Sequence, residues 1–523
     1  MLYYSPVKEM VTCRFSLKGL TRLLLPLLFV SWTNVVYAKA ASNSDGETFS
    51  RDTVVEIARK LSLAPFIEPQ KAPEALAEMD YSTYRQINFQ QDAAIWGKAS
   101  TPFSVQLFAP GFIYKQLIEI DLVENGKSSP LEVSESSFRV PDQSIGKILA
   151  EVGKYAGFRL HYPINRDDYN DEFLVFQGAS YFRGVSKGQG YGLSTRGLAI
   201  NVADPKGEEY PLFKAFWIER PSSNQKTIVV HALLDSKSVS GAYRFAIYPG
   251  APTRMDVDVI LFPRQDVQNV GLAPLTSMFM YGGIDRSDSA DYRPAVHDSE
   301  GLLMEKNNGE KIWRPLNNPR QLQVSTFMDE NPKGFGLLQP HRKFDYYQDL
   351  EAKYHLRPSV WVEPSGDWGK GRVELVEIPS DSETNDNIVA YWKPEEGLKK
   401  GQPFSYSYRL TWIDSMPKAM GKVSVVRSAG GRKLLTDKDE IVIDYNHIKA
   451  EDIKRIKIDA SISSGTILES RIEANPSIDG ARVFITFDPE DADVAELRVQ
   501  LKKDEKPVAM TWLYRFTSED WPL

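Results

Sequence analysis

The chain has 523 residues, and at roughly 100–200 residues per domain that gives two to four units, each able to bury a core of its own. Hydrophobic residues make up 42% and charged residues 25%, with 34 Gly and 32 Pro, a balance that excludes collagen-like, disordered and coiled-coil classes. With 63 Lys+Arg against 70 Asp+Glu and a formal net charge of −7, the chain lacks the basic excess that drives phosphate binding, so no nucleic-acid partner is expected.

At the N-terminus, Lys8, Arg14, Lys18 and Arg22 precede an apolar run from Leu23 to Val30, interrupted by Pro26. Val36-Tyr37-Ala38 then supplies the small-residue ending of a secretory signal peptide. Residues 1–38 are read as that signal, with cleavage after Ala38 or, alternatively, Ala40. Ser31, Thr33 and Asn34 break the run well short of the roughly 20 apolar residues of a membrane span, so no stable membrane insertion is expected after cleavage. No adjacent Arg pair precedes the run, which favours the general secretion route. Cleavage removes four basic groups and Glu9, taking the formal charge from −7 to about −10. It also removes Cys13, the sole cysteine; an exported chain without a disulfide suits the periplasm better than the outside medium.

After a polar segment, Val54, Val55, Ala58 and Leu61 repeat at helical spacing behind Asp52 as a cap, predicting a short surface helix. From about Ile87 the period turns to two. Met255, Val257, Val259 and Leu261 share one face of a half-buried strand, and Thr227 to Leu234 with Ala242 to Tyr248 predict a hairpin across Ser236–Gly241. Similar runs fill residues 100–395, predicting an all-β protein whose larger part, 39–392, is a β-sandwich. Residues 393–403 are charged, Pro- and Gly-punctuated and without apolar period, which reads as a linker. Beyond it Phe404, Tyr406, Tyr408, Leu410 and Trp412 alternate, opening about eight short strands in 404–523, the size and rhythm of an immunoglobulin-like sandwich.

No glycine-rich phosphate loop, G-x-S-x-G elbow, H-E-x-x-H or cysteine pair occurs. His297, His341 and His355 have no neighbour at metal-ligand spacing, so neither metal nor cofactor is expected. What stands out is the arrangement of polar and aromatic groups between Met280 and Trp392. Tyr292-Arg293-Pro294 with His297-Asp298-Ser299, Trp313-Arg314-Pro315 with Asn317-Asn318-Pro319, Asp349-Leu350-Glu351 with Tyr354 and Arg357, and Glu383-Thr384-Asn385-Asp386-Asn387 set rings beside carboxylates, guanidinium groups or amides at bends. Rings stack on the C–H faces of sugars while Asp, Asn and Arg bond the hydroxyls, so a carbohydrate cleft is one reading. Well-made turns and caps are the other, since Asn-Asn-Pro and Asp-Ser are strong turn formers.

These segments, with Gly178–Arg183, Phe216–Pro221, Asn331–Gln339, Arg357-Pro358-Ser359 with Trp361-Val362, and Asp386–Trp392, resemble the OpgG/OpgD family of periplasmic glucans biosynthesis proteins. The likeness runs from about Tyr81 to the C-terminus, and the ordinary secretory signal makes it look more like the G-type members. The resemblance implies a large sandwich of galactose-mutarotase type joined to an immunoglobulin-like domain, a periplasmic location, and a role in making glucans with a β-1,2-linked glucose backbone. Members are also similar to inverting β-1,2-glucanases. By that likeness Asp386 falls on the general acid, Asp298 on the general base, Tyr354 on a proton relay and Glu383 on a further acidic position. Tyr292, Arg293, His297, Trp313, Arg314, Arg357, Trp361 and Trp392 are the expected substrate-binding set. An inverting hydrolase sets its two carboxyl groups roughly 6.5–9.5 Å apart; a relay tolerates a larger gap. Three readings stay open: a glucan-cleaving enzyme, a weakly catalytic glucan-binding scaffold that assists branching, and a structural partner of the inner-membrane glucan synthase docking through the C-terminal domain.

Overall fold

The computed structural model describes residues 46–99, 101–132, 134–285, 291–417, 423–519 and 521. The segment read as a signal peptide, Cys13 included, lies outside them. Among the described residues the strands form sheets of sixteen, ten and four strands and two two-stranded ribbons. The chain is all-β, as expected.

The two largest sheets face each other across one core. Phe158 and Phe176 of the ten-stranded sheet meet Phe216 of the other at 5.0 and 5.3 Å between ring centroids, and Phe176 meets Phe245 at 5.2 Å. Strand Thr253–Pro263 buries Met255, Val257, Val259 and Leu261 as its alternation predicts. The predicted hairpin forms between Ile228–Asp235 and Val239–Tyr248, but its turn is tighter, closing where Ser236 N–H donates to Val239 O at 2.9 Å. Ile228–Asp235 is buried throughout because a second layer covers its other face. That layer is the helix Arg51–Ser62, which packs Val54 and Ala58 with Trp217, Leu233 and Ala242. Ser50, rather than Asp52, is its N-cap; Asp52 lies in the first turn.

The boundary drawn before residue 404 is corrected. Strand Phe404–Ile413 lies between Thr253–Pro263 and Ser359–Ser365 inside the sixteen-stranded sheet, and Tyr406, Tyr408, Leu410 and Trp412 join the large core. Residues 395–403 connect the two sheets of one sandwich, held by reciprocal backbone bonds between Val267 and Leu398 at 2.9 and 2.8 Å. Charged, Pro- and Gly-marked composition signals a surface connection, and a crossover between sheets satisfies it as well as a linker between domains.

The C-terminal unit begins after Ile413. A four-stranded sheet of Val425–Arg432, Asp439–Asn446, Thr466–Asn475 and Gly480–Asp488 faces Ile456–Ile462, Val494–Lys503 and Thr511–Thr517 across Ile441, Ile443, Val483, Ile485, Leu497 and Phe516. Two sheets of this size fit the immunoglobulin-like expectation. The unit is not free of its neighbour, since Thr511 and Trp512 pair in parallel with Ile312 and Trp313 and carry the sixteen-stranded sheet across. Leu303, Trp313, Leu338 and Trp361 belong to its core.

Candidate active site

Asp386 sits on the connection between strands Lys370–Glu377 and Ile388–Pro394. This loop is clamped from below. Asn387 is buried and bridges to the next sheet segment, accepting from Phe279 N–H at 2.8 Å and donating to Phe279 O at 2.9 Å. Asn318 binds Ser380 through reciprocal bonds of 2.9 and 3.0 Å, and its own N–H donates to Asp285 at 3.0 Å. Beneath them Arg314 and Glu377 form a buried ion pair at 2.9 Å, and Glu377 also accepts from Asn317 N–H at 2.8 Å. The Trp313–Pro319 motif therefore builds the floor of the acidic loop.

Asp298 follows the short strand Val296–His297, which pairs with Phe279–Tyr281. It is buried, which pushes its carboxyl above the usual range, while Arg357 opposes that shift and the charge of Asp386 adds to it. Arg357 bonds Asp298, donates to Ala352 O at 3.2 Å and lies over the Tyr354 ring at 4.5 Å. The Tyr354 hydroxyl donates to Glu383 at 3.1 Å, and Glu383 pairs with Arg293 at 2.8 Å. Arg293 is fixed in turn by Asp291 and Asp349 at 2.7 and 2.8 Å. One network thus joins Asp298, Arg357, Tyr354, Glu383 and Arg293. Burial, then the charge of Asp298, pushes the Tyr354 phenol well up. Asp386 lies three residues beyond Glu383 and faces Arg183 at 3.5 Å.

Five of the expected substrate-binding residues are corrected. Trp313 and Trp361 are buried in the C-terminal core and Trp392 in the large one, Arg314 is spent on Glu377, and His297 is enclosed between Gln339 at 2.8 Å and the face of Phe279. A ring stacks on a sugar only where its face is open, and these positions lie on strand faces turned into apolar layers. Arg293 and Arg357 serve as partners of the carboxylates. Tyr292 is 79% exposed.

Asp386 opens instead onto a cavity of about 820 Å³ whose wall includes Tyr181, Arg196, Glu208, Tyr210 and Asn385. Arg196 pairs with Glu208 at 2.5 Å, bonds Thr276 at 2.8 Å and lies over the Tyr181 ring at 4.7 Å. Burial pushes the Tyr210 phenol up to about 12. Tyr181 and Arg196 come from the Tyr181–Gly184 and Ser194–Arg196 strands and Glu208 and Tyr210 from the segment after them, far upstream of the expected site; the only signal for this part of the wall was the Tyr181-Phe182-Arg183 part of the family likeness. Among the described residues no group of three or more His, Cys, Asp or Glu side chains is placed to hold a metal ion.

Residues 49–516 match the family profile described as periplasmic glucan biosynthesis protein, MdoG. The chain belongs to the periplasmic glucan biosynthesis family. Glucans biosynthesis protein G 2 of Shewanella oneidensis is 63% identical over 93% of both chains, and glucans biosynthesis protein G of Vibrio cholerae is 48% identical over 92% of this chain and 89% of its own. A galactose mutarotase related enzyme from Lactobacillus acidophilus aligns over 45% of this chain and 96% of its own at 8% identity with a TM-score of 0.20, a similarity too weak to carry an inference. Membership of the glucan biosynthesis family places the chain in the periplasm and in glucan synthesis. Among the described residues, no helix is long and apolar enough to cross a membrane.

Proposed function

We propose that the protein acts on the β-1,2-linked glucose backbone of periplasmic glucans as an inverting glucanase. The observation that carries this is the split placement of the acids: Asp386 opens on the cavity, while Asp298 is buried on a network that includes Tyr354 and Glu383. Asp386 gives its proton to the leaving glycosidic oxygen, and water enters on the opposite face of the sugar. The water's proton passes to the Tyr354 oxygen while the Tyr354 hydroxyl, which rests on Glu383 at 3.1 Å, turns to give its own proton to Asp298. Because the Tyr354 phenol is pushed up, it passes one proton as it takes another and never stands as a phenolate. The raised carboxyl of Asp298 makes it the stronger proton acceptor.

Asp386→Asn tests the acid. It should leave folding and glucan binding near the parent's and lower hydrolysis by about 10²–10⁴-fold, the usual contribution of a general acid; unchanged turnover of linear β-1,2-glucan rules the assignment out. A second reading draws on the ion pairs. Asp386 faces Arg183 and Asp298 bonds Arg357, and arginine-bound carboxylates suit a protein that holds glucan for the inner-membrane glucan synthase and assists branching or release. Binding without any product over a long incubation selects that reading.

A further inference from the structure

The cavity that holds Asp386 has a neighbour of about 250 Å³, and Ile113, Tyr114 and Gln177 line both. A row of rings runs along this annexe. Tyr81, Phe112, Tyr84 and Tyr114 follow one another at centroid separations of 5.7, 6.1 and 5.9 Å. All four stay only part-buried, with part of their surface open to the annexe. The row is held in place from behind. The Asp80 carboxylate caps the short helix Tyr81–Tyr84 by accepting from Thr83 N–H at 2.7 Å, and the Tyr84 hydroxyl donates to Ala109 O at 3.0 Å. Phe112 stands at φ 55, a left-handed conformation that a bulky residue adopts rarely. Gly111 before it, at φ 150, sits in a tight spot, since a Cβ there would lie 3.1 Å from Leu76 O and 3.2 Å from the Tyr84 ring. Arg85 and Gln177 also line the annexe, offering hydroxyl-bonding groups beside the flat faces. None of its lining residues carries a carboxylate, so it can bind but has no general acid or base of its own.

We propose that the annexe is a distal sugar subsite, which takes the stretch of a neutral β-glucan running away from Asp386 and makes the protein select long chains over short ones. The proposal rests on the glucan reading above. Its test is calorimetric titration of the full chain with long linear β-1,2-glucan and with a β-1,2-linked trisaccharide. Tyr81→Ala and Phe112→Leu should each weaken the long chain about tenfold, the second while keeping the apolar volume. Arg85→Ala, at an exposed position where folding is not at stake, should weaken it about threefold. None should change trisaccharide affinity. Equal loss for both ligands, or no loss for either across the three variants, overturns the subsite while leaving the glucan reading intact. A parent protein that binds neither ligand overturns the glucan reading, and the subsite falls with it.

Discussion

Replacing Arg357 by methionine removes the positive partner of a buried carboxylate. Asp298 keeps 6% of its side chain open and Arg357 21%, so water screens the pair poorly. Breaking a buried pair by deleting one member costs about 3–5 kcal/mol when the remaining charge stays; the partly open guanidinium sets the lower figure, about 3 kcal/mol. Asp298 escapes part of that cost by binding a proton. Its folded carboxyl is already raised by burial, against the pull of Arg357, and loses that pull in the variant. A carboxyl whose folded pKa lies above its unfolded value of about 3.9 contributes stability that is complete at low pH and lost as pH rises through the folded value. Urea unfolding should therefore show a modest loss at pH 5 and the full loss, about 3 kcal/mol, at pH 8. Adding Asp298→Asn removes the stranded charge, and the double variant should recover most of the loss at pH 8. It should still fall short by about 1 kcal/mol for the hydrogen bond from Arg357 to Ala352 O. A loss that is the same at both pH values, or a double variant no better than the single, refutes the view that Arg357 is there to hold a charged Asp298.

The buried placement of Trp392 predicts that Trp392→Ala costs about 3–5 kcal/mol in denaturant unfolding while the folded fraction binds glucan as the parent does; a large affinity loss without instability would restore it to the cleft. Burial pushes Glu300 up to about 8, so its contribution to stability fades as pH rises from about 4.3 toward that value, and Glu300→Gln should flatten the fall between pH 5 and 8. A fragment of residues 404–523 should expose Phe404–Ile413 as an unpaired strand and aggregate, whereas 414–523 keeps both C-terminal sheets; light scattering and amide NMR dispersion distinguish the two, and a monodisperse, folded 404–523 fragment would contradict the sheet order.

Period-two patterning sufficed to predict strands and their buried faces, because side chains alternate across a pleat wherever the strand pairs. Met255 to Leu261 and Tyr406 to Trp412 were therefore readable as strands before any partner was known. That they are neighbours in one sheet, Val257 opposite Tyr408, was not readable, since alternation is the same in either sandwich. The family likeness named Asp298, Tyr354, Glu383 and Asp386 as one site; in the structure Asp298 meets Arg357, 59 residues away, which the pattern had assigned to substrate, and Asp386 faces Arg183 from another strand. Trp313, Arg314 and Trp392 failed as sugar contacts for a related reason. A ring or guanidinium beside Pro and Asn has the same local sequence whether it faces a cleft or a neighbouring layer, and only the packing of the second sheet and the C-terminal unit decides which. Local stereochemistry is written residue by residue, while burial and charge pairing depend on which distant surfaces the chain brings together.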